Sequence, residues 1–133
     1  MAATKQAILT KGAPTPLPFL SQGIAVNGMV YCSGQIGQDP ETGKVIEGTV
    51  GDRTRRILQN LSAVLEAAGS SMEHAVKVNV FLTTMDNFKA MNDVYTEFFP
   101  DPKPVRTCVA VKELPMGTDV EIECSGFIAK PNL

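Results

Sequence analysis

Arg106 stands in a stretch, residues 104–127 (PVRTCVAVKELPMGTDVEIECSGF), that otherwise reads as apolar strand material. A guanidinium is not buried without a partner, so this arginine is either half of an internal ion pair or a receiver for a ligand's carboxylate. Glu121 and Glu123 follow on the next strand-like run and are candidates for the first role. A small molecule's carboxylate would fill the second, gripped by two parallel hydrogen bonds from the planar fork. Cys108 shares a strand face with Arg106, as Glu123 does with Glu121, because side chains two residues apart lie on one side. That spacing permits one pocket. Cys108 as a nucleophile is the weaker idea, since no histidine lies near it in sequence to activate it. The single histidine, His74, sits beside Glu73 at a helix-like turn. It reads as a surface residue and excludes any mechanism that needs two histidines.

The elements that must position these groups follow from periodicity. Val105, Thr107, Val109 and Val111 alternate with Arg106, Cys108, Ala110 and Lys112; residues 116–119 supply turn chemistry; Val120, Ile122 and Cys124 alternate again. Residues 104–127 are thus expected to be two strands joined by a turn. Upstream, residues 6–10 suit a short first strand and 12–21, with three prolines, an irregular loop made sticky by Pro18, Phe19 and Leu20. A strand is expected over 28–36, in which Gly34 marks either a kink or a close backbone approach. From about Asp52 the period changes: Ile57, Leu58, Leu61, Val64, Leu65 and Ala68 form one helical stripe, stopped by Gly69. Arg53, Arg55 and Arg56 read as a solvated face of that helix. Residues 70–73 resemble a capping box, 76–83 are the clearest strand, and Asp86 is the expected cap of a second helix with Phe88, Met91, Tyr95 and Phe98 inside. Pro100 and Pro102 end it. The order β, β, (β), α, β, α, β, β gives an α+β layer fold with two helices on one face of a mixed sheet. Nothing is left to cover the other face, where Tyr31 and Phe81 fall, so a homo-oligomer is expected.

At 133 residues, with 44% hydrophobic and 20% charged residues, the chain is expected to be a single domain over 1–133. A net charge of −2 gives no general attraction to nucleic acid or anionic membrane. No apolar run approaches the roughly 20 residues of a membrane span. Cys32, Cys108 and Cys124 are odd in number and lack a CxxC, which argues against a disulfide framework and a zinc site and suits a reducing compartment. The first residues lack a secretory h-region and are arginine-poor, so the expected location is the cytoplasm, with mitochondria the alternative.

Taken together, CSGQIG at 32–37, VKVNVFL at 76–82, MDNFKAMNDVYTEFF at 85–99, PVRTCVAV at 104–111, Leu114-Pro115 and VEIEC at 120–124 resemble the RidA family, also called YjgF or L-PSP. The resemblance covers nearly the whole chain. It implies a chorismate-mutase-like α+β fold, a homotrimer with a central β-barrel, and clefts between subunits. It also implies cofactor-free and metal-free hydrolysis of 2-imino acids, such as 2-iminobutanoate and 2-iminopropanoate, to 2-keto acids and ammonia. By the same resemblance Arg106 binds the substrate carboxylate, Cys108 offers a backbone N–H, Glu121 positions water, Ser33 and Gly34 line the pocket, and Asn92 supports it. One position departs from the pattern. The family loop usually reads GPYSQ, and here PFLSQ at 18–22 puts Leu20 where the tyrosine is expected. Two other readings stand beside deamination. One is a non-catalytic small-carboxylate-binding module. The other is a ribonuclease or translation inhibitor, which the single histidine and the missing basic patch argue against.

Overall fold

The stripe at Ile57, Leu58, Leu61, Val64 and Leu65 decides the architecture, because every one of these side chains is fully buried. Each such burial contributes about 1.5–3 kcal/mol, and all five face the same sheet. In the computed structural model, which describes residues 3–130, they belong to helix α1 (Val50–Ala67). Thr49 caps it in a reciprocal box with Asp52, and Gly69, at φ +88°, stops it. The strands are β1 (Gln6–Ile8), β2 (Gly23–Val26), β3 (Met29–Gln35), β4 (Ala75–Leu82), β5 (Val105–Ala110) and β6 (Val120–Phe127), with a shorter helix α2 (Phe88–Tyr95) between β4 and β5. They form one six-stranded sheet in the order β1-β2-β3-β6-β4-β5. Only β4 and β5 are parallel neighbours; every other pairing is antiparallel. The expected α+β layer is present.

Several local expectations are corrected. β5 and β6 do not pair with each other, because β4 lies between them. β3 and β4 flank α1 without touching, because β6 has inserted between them. β2 precedes a tight hairpin at Asn27-Gly28, both with positive φ (50° and 76°), the backbone that an Asn-Gly pair adopts readily. The turn before α2 is capped by Thr84, which accepts from the Asp86 N–H at 3.2 Å, rather than by Asp86. No capping bond forms from Ser71; its hydroxyl contacts His74 Nδ1 at 3.1 Å instead. His74 itself packs on Phe127, ring centroids 4.5 Å apart, and is not a free surface residue.

Register fixes which side chains share a face. Val78, Val80 and Leu82 of β4 and Val120, Ile122 and Cys124 of β6 are buried under the helices. The alternate residues, Asn79, Phe81, Glu121 and Glu123, point to the opposite face, which no element among the described residues covers. Tyr31 is half exposed there too, as expected.

Two polar side chains hold the loops that frame this face. Arg53 is not solvated: its Nε and Nη2 reach the Asp119 carboxylate at 2.7 and 2.8 Å, and Nη1 donates to the Gly48 carbonyl at 3.0 Å. It therefore ties α1 to the segment just before β6. Arg55 pairs with Glu97 and Arg56 with Asn60. Gln22, 1% exposed, accepts from the Thr10 N–H at 2.7 Å and donates to the Thr10 and Pro14 carbonyls at 3.0 and 2.9 Å. The amide thus stands in for a backbone ladder and pins the proline-rich loop.

The Arg53 guanidinium holds the Asp119 carboxyl below its ordinary range. A depressed carboxylate stabilises above its unfolded value, about pH 3.9, and the contribution disappears as pH falls through the folded one. Arg53→Ala should therefore cost about 1–3 kcal/mol in urea unfolding at neutral pH. That deficit should shrink below about pH 4, where the unmodified protein loses the same pair.

Candidate functional site

The residues singled out in the sequence fall into two groups on different parts of the sheet. The first group surrounds a cavity of about 340 Å³ between the proline-rich loop, the end of β3, the 3₁₀ turn at Pro115–Gly117 and β6. Leu20, Ser33, Gly34 and Glu121 all line it. Ser33 donates its hydroxyl to the Ser21 carbonyl at 2.6 Å, and its N–H to the Gln22 carbonyl at 2.9 Å. The loop is thereby drawn against β3.

Gly34 explains how Glu121 comes to lie where it does. The β3–β6 register slips between Cys32 and Gln35, and a Cβ at Gly34 would sit 2.7 Å from Glu121 Oε2. Any side chain there would displace the carboxylate. Of the two expectations for this glycine, close approach is the one that holds. Burial, and then the charge of Glu123, pushes the Glu121 carboxyl above the usual carboxylate range. Glu123 is itself held by the Asn79 amide, which donates to its Oε2 at 3.1 Å.

The second group lies at the sheet's outer edge. Arg106 donates from Nη1 to Asn92 Oδ1 of α2 at 2.6 Å. Its Cζ lies 4.7 Å from the Tyr95 ring centroid and 5.6 Å from that of Phe88. These rings hold the cation by its flat face and leave much of its donor fork unused. None of the ion pairs among the described residues involves Arg106; the internal pair with Glu121 or Glu123 is not formed. The rings were not anticipated from the sequence, although Phe88 and Tyr95 on the inner stripe of α2 were the available signal. The Tyr95 hydroxyl is buried, with no hydrogen-bond partner among the described residues, and burial pushes its pKa up to about 12.

Cys108, also on β5, is half-buried, and that burial pushes its thiol above the ordinary value. A protonated thiol is a poor nucleophile. Its backbone is better placed for chemistry. Val111 donates its N–H to Leu82 on β4 at 2.7 Å, so by strand alternation the N–H of Cys108 points away from β4, to the free edge.

Within one chain the two groups cannot meet. Arg106 is in register with Val78, whose side chain is buried under the helices; Glu121 is in register with Phe81, on the open face. The sequence reading allowed a single pocket for them, and β4 separates them instead. A larger cleft, about 530 Å³, includes Ser71, Glu73 and His74, but none of the groups above opens onto it. Among the described residues no cluster of His, Cys, Asp or Glu is suited to hold a metal ion, and no helix is long and apolar enough to cross a membrane.

A carboxylate titration of Glu121 checks this electrostatic picture directly. Its midpoint should lie above that of an exposed glutamate, and Glu123→Gln should lower it by removing a like charge. The shift should be partial, because burial is the larger cause. An unchanged midpoint in the variant would show that Glu123 is not felt at Glu121.

Comparison with known proteins brings the two groups into one context. The chain is 59% identical over 107 residues to the fission-yeast protein mmf1, mitochondrial, covering 78% of this chain and 65% of that protein. It is 43% identical over 119 residues to a 2-iminobutanoate/2-iminopropanoate deaminase of Dermatophagoides farinae, covering 90% and 93% of the two chains. The crystal structure of E. coli TdcF with bound serine superposes with a TM-score of 0.86 at 35% identity, over 92% of this chain and 98% of that one. Residues 10–128 match the endoribonuclease L-PSP family, and the chain belongs to that family, the RidA or YjgF proteins expected from its motifs.

Proposed function

We propose that the protein hydrolyses small 2-imino acids to 2-keto acids and ammonia, as a 2-iminobutanoate/2-iminopropanoate deaminase, at sites shared between copies of the chain. The observation that carries this reading is Arg106. It is a guanidinium with no acidic partner among the described residues, held flat by two aromatic rings and aimed by Asn92, at the strand edge to which the Cys108 N–H is also turned. That is a receiver for a carboxylate. The naming of the mite relative as a deaminase and the serine bound by TdcF point the same way.

One copy of the chain offers the arginine edge and another the cavity with Glu121. β5 is an edge strand bearing Val105, 62% exposed, and Val109, and such an edge needs a cover. A homotrimer that closes the open sheet faces into a barrel supplies one. In the shared cleft Arg106 and the Cys108 N–H fix the carboxylate, which leaves C2 facing Glu121. An imine carbon is already electrophilic, so positioning and one proton acceptor are enough. Glu121, with its raised pKa, takes a proton from water as the oxygen attacks C2. That proton passes to nitrogen, giving a carbinolamine; the proton of its new hydroxyl then follows to nitrogen, and as C2=O forms the C2–N bond breaks and ammonia leaves. No step draws on a cofactor or a metal.

A binding module without turnover would use the same arginine and is separated from the deaminase only by assay. The nuclease activity carried by the family's name has less support. His74 is engaged by Ser71 and Phe127, and the three α1 arginines are spent on Asp119, Glu97 and Asn60. The cytoplasmic location expected from the sequence gains no support from a relative named as mitochondrial.

Arg106→Ala should reduce imine hydrolysis by a factor of tens to hundreds, equivalent to about 2–4 kcal/mol, while the oligomer stays folded. Arg106→Lys should recover little, since a point charge does not reproduce two parallel bonds. Full activity in the alanine variant would place the site elsewhere; dissociation of the oligomer in that variant, with an active lysine variant, would make Arg106 an interface residue.

A further inference from the structure

Met116 stands in the wall between two cavities. It lines the space beside Glu121 and, across the turn, a smaller pocket of about 230 Å³ with Val45, Arg53, Thr118 and Asp119. Its backbone lies in the left-handed region, φ +57°, which is unfavourable for a residue other than glycine. The turn holds it there. The Gly117 N–H donates to the Leu114 carbonyl at 3.1 Å, the Thr118 N–H donates to the Pro115 carbonyl at 3.2 Å, and Arg53 grips Asp119. The side chain is 67% exposed. Its sulfur accepts from Gln38 Nε2 at 3.6 Å, and a thioether is a weak acceptor. On the side of the smaller pocket, the Thr118 hydroxyl is buried with no hydrogen-bond partner among the described residues. Donors on both sides of the turn thus border a weak acceptor.

This sulfur is also the best placed in the chain for two-electron oxidation. A thioether needs no deprotonation to react, so access governs its rate. Among the described methionines, Met91 is fully buried, Met29 and Met72 are half-buried, and Met85, 45% exposed, is the nearest rival. Cys32 and Cys124 are buried, and burial pushes the Cys108 thiol above its ordinary value. Little of the reactive thiolate is therefore present.

We propose that Met116 is a reversible oxidation site, at which a peroxide forms the sulfoxide and thereby weakens imine hydrolysis in the adjoining cavity. The sulfur lone pair attacks one peroxide oxygen and the O–O bond breaks. The departing hydroxide takes the proton left on the transferred oxygen and leaves as water. Sulfur gives up two electrons and the peroxide gains them. The new S–O group is a strong acceptor for which the Gln38 amide and the Thr118 hydroxyl are donors, and it turns an apolar wall of the Glu121 cavity polar and wet. The loss of turnover rests on the deaminase reading above; the oxidation does not. Substrate and oxidant share one source whenever a flavin oxidase acts on an amino acid. Hydride passes from Cα to the flavin, dioxygen reoxidises the flavin, and imine and hydrogen peroxide are released together.

The test exposes the protein to graded hydrogen peroxide, removes the excess with catalase and locates the added oxygen by peptide mass spectrometry. Turnover is then assayed on imine supplied by a dehydratase, which makes no peroxide. Met116 should take up oxygen ahead of Met85, Met72 and Met91, and kcat/KM should fall several-fold in step with it. Methionine sulfoxide reductase should restore the activity. Met116→Leu, measured against its own untreated activity, should hold steady over the same exposure, whereas Met85→Leu should stay sensitive. Full oxidation of Met116 with unchanged turnover overturns the proposal, as does an equal loss in Met116→Leu. Oxidation of Met116 no faster than of Met85 overturns the site while leaving deamination standing. An untreated protein that accelerates no imine hydrolysis sinks the deaminase reading, and the control of turnover with it.

Discussion

β4 lies between β5 and β6, and that placement governs what the chain can do. The strand is buried on its helix side through Val78, Val80 and Leu82 and pairs on both edges, so it cannot be moved without dismantling the core. Because paired residues point to the same side of a sheet, this register sends Arg106 toward α2 and Glu121 to the opposite face. The arginine is fixed by Asn92, Tyr95 and Phe88; the glutamate is fixed by the glycine opposite it. Each half is ordered without the other. In the proposed function, assembly joins two half-sites that the fold has already organised, and little further ordering entropy is needed when a ligand arrives.

The cost of this arrangement is visible at the edges. β5 exposes Val105 and Val109 with one side of its backbone unpaired, and the loop at residues 17–20 exposes Leu17, Phe19 and Leu20. Isolated, such surfaces invite non-specific pairing. The structure supports them with buried polar ties. Gln22 holds the loop through backbone groups of Thr10, Ala13 and Pro14, and Arg53 holds the turn that carries Met116. Both lie outside the reacting centre, yet both hold the walls of the cavity beside Glu121.

How far the sequence reveals this depends on the range of the interaction. The α1 stripe is legible because its 3.6-residue period is local and six apolar positions repeat it. Arg106 is legible as out of place in an apolar strand, and Gly34 as one of two alternatives. The insertion of β4 is not legible: alternation in residues 105–111 and 120–124 says that two strands exist, and nothing local says that a third separates them. Arg53–Asp119 joins residues 66 apart, so neither end advertises the other, and a row of arginines on a helix reads as solvated. The β2–β3 hairpin was within reach, since Asn27-Gly28 is the turn signal such hairpins use; the flanking four-residue strand is too short for alternation to stand out. Gln22 gives no signal in sequence at all, because its bonds replace a backbone ladder that only the folded loop defines.

The central claim is that a working site takes Arg106 from one copy of the chain and Glu121 from another. Mixed assembly tests it most directly. Arg106→Ala and Glu121→Gln subunits, each strongly impaired alone, would be unfolded, combined in equal amounts and refolded together. A site shared between neighbouring copies would join an intact Arg106 to an intact Glu121 in about one cleft in four, so about a quarter of native imine hydrolysis should return. A mixture as inactive as its parents, with mixed oligomers demonstrated by mass, would contradict the account, since every chain would then have to carry both residues of its own site.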